Sequence, residues 1–150
     1  MEGSSRKDYG VMLDRTFKEL EHNAEGFKIT LTGGELSKGY KPDVVLMSQD
    51  GYIILESEHS TSRKLCIGAL IKAAKLLTGD RKGYLVIVLR EAENTTAKQI
   101  AKHLAEYLNW IRPLSNVIDV YVISDENYCA ENNVPIKLLG NQFLKASYKV

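Results

Sequence analysis

At 150 residues, 44% hydrophobic and 26% charged, the chain is long enough to bury one real core without staples, and its apolar runs are too short to span a membrane. A net charge of +1 excludes the strongly basic total of many nucleic-acid binders, so a basic surface has to be sought in how the charge is distributed. The two cysteines, Cys66 and Cys129, are far apart, which excludes a disulfide framework or a cysteine metal site and suits a reducing, cytoplasmic compartment.

Residues 1–8 read as a polar tail without the apolar stretch of a secretory signal, and residues 9–150 as a single domain. A first helix is expected from Asp8 to about His22, with Tyr9, Leu13, Phe17 and Leu20 as its core stripe. Asp14, Lys18 and Glu21 fall outside that stripe, and Gly26 ends the segment. Phe27–Thr32 alternates as a half-buried strand, and Gly33–Gly39 forms a loop.

Pro42 to Glu58 organises the chain. Two β-prone runs, Asp43–Ser48 and Tyr52–Glu58, flank an Asp-Gly pair, which is a strong hairpin signal. With Asp50 and Gly51 as the loop residues, Gln49 opposes Tyr52, Val45 opposes Glu56 and Asp43 opposes Glu58. Opposed residues share a face, so Asp43, Glu56 and Glu58 are expected to project together. Ser57 and His59 then point to the other face. Three clustered carboxylates repel one another and call for a positive partner. A divalent cation is one candidate; Lys41, Arg63 and Lys64 are the other.

His59–Ser62 supplies cap residues for a helix to about Thr78, with Leu65, Ala69, Ala73, Leu76 and Leu77 on its buried side. Lys64, Gly68, Lys72 and Lys75 form a second stripe, which by itself suits a solvated face. Gly83–Arg90 is apolar enough for a central strand buried on both faces. Asn94–Thr96 caps a helix to about Ile111 with Ile100, Leu104, Leu108 and Ile111 inward, and Val117–Ser124 is a further strand. Pro135–Leu139 reads as a short strand and Asn141–Tyr148 as a last short helix. The alternation from residue 52 to 124 argues an α/β domain with a mixed sheet and parallel crossovers.

Pro42-Asp43 followed after a hairpin by Glu56-Ser57-Glu58 resembles the motif of the PD-(D/E)XK nuclease superfamily, in its Glu-x-Glu variant. Glu58 stands where that superfamily usually has Lys. The resemblance covers the motif and the order of elements from about Tyr9 to Ser124. It implies a single restriction-endonuclease-like domain, a mixed β-sheet flanked by helices in αβββαβαβ order. It also implies an endonuclease that hydrolyses DNA, with Mg²⁺ as cofactor and Mn²⁺ able to substitute. Asp43, Glu56 and the Ser57 carbonyl would hold the metal, with Glu19, or alternatively Glu21, added from the first helix. Glu58 would orient the attacking water, ligate the metal or take the water's proton. Lys64 would supply the missing positive charge, and Lys38, Lys41, Arg63, Lys64 and Lys72 would meet the DNA. The resemblance further implies a homodimer. No organic cofactor and no membrane partner are expected, and His22, His59 and His103 match no catalytic spacing. The rival reading is a nuclease-fold subunit that binds nucleic acid or assembles with a partner but does not cut, supported by the Lys-to-Glu departure. A glycosidase is disfavoured, because its carboxyls flank a sugar from opposite sides about 5–9.5 Å apart.

Overall fold

Gly83–Leu89 carries almost nothing but apolar side chains, and it sits where such a strand must, at the middle of a sheet. The structure is a computed structural model that describes residues 16–58, 63–92, 95–129 and 133–150. Six strands pair in sequence order: β1 (Lys28–Leu31), β2 (Val44–Ser48), β3 (Gly51–Glu58), β4 (Gly83–Leu89), β5 (Val117–Ser124) and β6 (Tyr148–Lys149). β1, β2 and β3 form an antiparallel meander; β3, β4 and β5 are parallel; β6 returns antiparallel at the edge.

Two helices make the parallel crossovers, α1 (Arg63–Leu76) and α2 (Ala97–Ile111). Both bury their apolar stripes on one face of the sheet, against Ile54, Leu85, Ile87, Val120 and Val122. The opposite face packs Val44, Leu46, Ile53, Leu55 and Val86 against Phe17, Tyr128 and Phe143. Tyr128 and Phe143 belong to the short helices α3 (Asp125–Tyr128) and α4 (Asn141–Ala146). This is one α/β domain with a mixed sheet covered on both faces. Among the described residues no helix is long and apolar enough to cross a membrane.

α2 begins with a capping box: the Thr96 hydroxyl accepts the Gln99 N–H, and the Gln99 side chain accepts the Thr96 N–H. Glu91 adds a carboxylate acceptor for the Ala97 N–H at 2.7 Å. Thr96→Ala removes one partner of the box and is expected to cost about 1 kcal/mol in urea unfolding.

Several expectations are corrected. The loop residues of the β2–β3 hairpin are Gln49 and Asp50, not Asp50 and Gly51, because Ser48 pairs with Gly51 and Val45 with Ile54. Gly51 is already a strand residue. Its φ of 138° and the Lys82 carbonyl oxygen, 2.4 Å from where a Cβ would stand, leave room for no side chain. Leu65 is 49% exposed, while Ala69, Ala73, Leu76 and Leu77 are buried as expected and α1 also turns Cys66 and Leu70 inward. β1 is a largely exposed edge strand and not a half-buried one. Pro135–Leu139 forms no strand and contributes only an isolated bridge from Leu138 to Ala24. The last helix stops at Ala146, and Tyr148 starts β6.

Of the expected first helix, residues 16–19 are described and helical. The segment ends before His22, whose imidazole turns back on it. Nε2 lies 2.7 Å from the Phe17 carbonyl oxygen and Nδ1 2.7 Å from the Tyr128 hydroxyl. A carbonyl only accepts, so Nε2 carries the proton and Nδ1 accepts from Tyr128. Burial holds His22 neutral, down to about 4, with the bond to Phe17 opposing the shift. The Tyr9 and Leu13 part of the core stripe and the His59–Ser62 and Asn94 caps lie outside the described residues.

Candidate active site

Asp43 and Glu56 meet where β2 begins and β3 nears its end. Pro42, buried, leads the chain into β2 and biases Lys41 toward extended backbone. The register that pairs Val44 with Leu55 places Asp43 opposite Glu56, where the sequence had suggested Glu58. A slip of two residues keeps side chains on their faces, so the grouping survives the changed partner.

The two carboxylates are locked reciprocally. Asp43 Oδ2 accepts the Ser57 N–H at 2.8 Å and the Ser57 hydroxyl at 3.1 Å. Glu56 Oε1 accepts the Asp43 N–H at 3.3 Å, and Oε2 accepts the Tyr40 hydroxyl at 3.2 Å. The Ser57 side chain was expected to point away from the acids. It reaches Asp43 because that carboxylate stands at the end of the β2 ladder and takes the place of a strand partner.

Glu56 is the strained member. Burial raises its pKa to about 7, and the Asp43 charge and then Glu58 add to the rise, while the hydrogen bonds from the Asp43 backbone and Tyr40 oppose it. Glu58 lies two residues on, about 7 Å along the strand, on the side of Ile54 and α1. Its charge, after burial, helps push the buried Cys66 thiol of α1 up to about 12, which disfavours the thiolate. Tyr40, 7% exposed, is packed under α1, and burial together with Glu56 raises its hydroxyl pKa.

The cation beside the acids is Lys18, a residue that sequence reasoning left on the solvent side of the first helix. Its Nζ is 4.0 Å from Asp43 Oδ1, and its chain lies along Gly33, where a Cβ would stand 3.3 Å from Lys18 Cδ. Glu19, the neighbour considered as a metal ligand, is exposed, and the charges acting on Glu56 are those of Asp43 and Glu58. Lys41, Arg63 and Lys64 are exposed and form no salt bridge with Asp43 or Glu56. Lys38 and Lys72 lie elsewhere, in the wall of a cleft of about 330 Å³ beside the second half of α1. Tyr40 was also missed; its one signal is a position three residues before Asp43.

The donor set suits a hard cation in part. Two carboxylates face each other on adjacent strands, burial and then the Asp43 charge raise the pKa of Glu56, and positive charge relieves the repulsion. The Asp43 and Glu56 oxygens are now turned to protein donors, and among the described residues no three His, Cys, Asp or Glu side chains are arranged to hold a metal ion. No protein-family model, no curated protein and no solved structure matches the chain.

Proposed function

We propose that the chain is a metal-dependent endonuclease with a restriction-endonuclease-like fold, hydrolysing DNA with Mg²⁺. The observation that carries this reading is the opposed pair Asp43 and Glu56, in which burial and then mutual repulsion bring Glu56 to about 7. The order of the described strands and helices, an antiparallel meander running into two parallel crossovers, supports it as well.

On this reading Asp43, Glu56 and the Ser57 carbonyl would hold the metal, which would supply Lewis-acid chemistry to a phosphodiester and to an attacking water. Glu58 receives the proton of that water or orients it. Ser57 fixes Asp43 through two hydrogen bonds, and Tyr40 fixes Glu56 through one. Lys18 supplies beside Asp43 the positive charge that the superfamily usually places at the position of Glu58. Two copies would be needed to cut both strands of a duplex, which favours a homodimer.

The test is incubation with supercoiled and branched DNA in Mg²⁺ or EDTA, beside Asp43→Ala. Nicking is expected in Mg²⁺ alone and falls to background in the variant. A second reading, a subunit that binds DNA without cutting it, is favoured by Glu58 at the Lys position and by the Lys18–Asp43 contact. It is the better account if wild type and Glu56→Ala bind DNA equally and neither nicks any substrate.

A further inference from the structure

The cleft beside the second half of α1 is built from three separate segments: the loop at 37–40, the helix at 72–76 and the turn at 78–81. Lys38, Lys72, Lys75 and Arg81 all line it, and no carboxylate does. None of the four forms a salt bridge with a described acidic side chain. Glu35 is the nearby carboxylate, and it is engaged by the Gly39 N–H at 2.8 Å; four cations around one cleft repel one another, and an anion relieves that repulsion. Arg81 brings a planar guanidinium that matches a phosphate in bidentate fashion, and the lysines act as point charges around it. Ser37 and Thr78 also line the cleft and carry hydroxyls, and Tyr40 and Leu76 are in its wall. At about 330 Å³ the space is at the lower end of small-ligand sites, ample for one or two phosphoryl groups.

We propose that this cleft is a phosphoanion site, distinct from the carboxylates, that takes a phosphate-bearing ligand. Tyr40 joins the two places, since it lines the cleft and its hydroxyl donates to Glu56. The inference does not depend on the nuclease reading and stands even if the protein cuts nothing. The phosphate has two possible sources, a free phosphate-bearing small molecule or the phosphates of a nucleic-acid strand, and both present anionic phosphoryl oxygens.

The experiment is an amide NMR titration of Asp43→Ala protein in EDTA, where no metal-dependent chemistry intervenes. The probes are inorganic pyrophosphate and a single-stranded oligonucleotide with and without a 5′-phosphate. Saturable shifts are expected at residues 37–40 and 72–81. Lys75→Gln and Arg81→Gln, both at exposed positions and checked by thermal melting, should each weaken binding roughly tenfold. Saturation by pyrophosphate alone assigns the site to a free ligand; saturation by oligonucleotide alone assigns it to strand phosphates. Shifts spread evenly over surface lysines, no saturation by any probe, or equal affinity in both variants would overturn the proposal.

Discussion

In EDTA at pH 8, Glu56→Gln is expected to unfold with about 3 kcal/mol more free energy than the wild type, and at pH 4 the two should nearly coincide. Glu56 titrates at about 7 in the folded protein against 4.5 unfolded. Between those values the folded state binds the extra proton, so stability falls as pH rises through the window. Above it both states are ionised and the full penalty of burying a second carboxylate beside Asp43 is present. Below it both are neutral and no penalty remains. Glutamine keeps an acceptor for Tyr40 or the Asp43 N–H while removing the charge, so it removes the penalty only where there is one. Urea unfolding across this range reads the difference. Mg²⁺ at pH 8 should recover much of the gain in the wild type and little in the variant, because the cation neutralises the charge that glutamine has already removed. Equal stability of the two proteins at pH 8 in EDTA would show that burial and the neighbouring acids do not raise Glu56.

That prediction rests on a pairing which the sequence reached by a partly wrong route. Asp-Gly marked the hairpin correctly, yet the turn sits one residue earlier, because Gly51 is required by the Lys82 carbonyl and not by the bend. Such a contact joins residues 31 apart and leaves no local trace. The face assignment survived because strand side chains alternate with period two, and the slip changed the partner of Asp43 by two. α1 was harder. Leu65, Cys66, Ile67, Ala69, Leu70 and Ile71 are apolar almost all the way round, so periodicity could not fix its phase, and Leu65 was placed inside when it is outside. α2, whose apolar residues fall mostly on one stripe with Trp110 exposed outside it, buries Ile100, Leu104, Leu108 and Ile111 as expected. Lys18 and Tyr40 were invisible for another reason. Each meets the acids through tertiary packing, and nothing in a lysine on a polar helix face, or in a tyrosine within a loop, announces a carboxylate partner.

The Glu56→Gln background also uncovers an opposite dependence, carried by His22. Stability of that variant should fall by about 3 kcal/mol as pH drops from 6.5 to 4. The unfolded imidazole gains its proton near 6.5, the folded one only near 4, so in this window the unfolded state binds more protons and stability is lost on acidification. The cause is structural. Protonating Nδ1 would bury a charge in a pocket closed by Phe17 and Tyr128, where water cannot solvate it. In the wild type the windows of Glu56 and His22 overlap with opposite sign, so its profile between pH 7 and 4 should be much flatter than that of the variant. Adding His22→Gln to Glu56→Gln should lower stability at neutral pH, by weakening the bonds to Phe17 and Tyr128, and should also flatten the acid limb. The two residues share no partner in the structure, so their effects should add. Urea midpoints of the three proteins from pH 4 to 8 test this. An acid limb of unchanged steepness in the double variant would show that His22 is not the group that protonates.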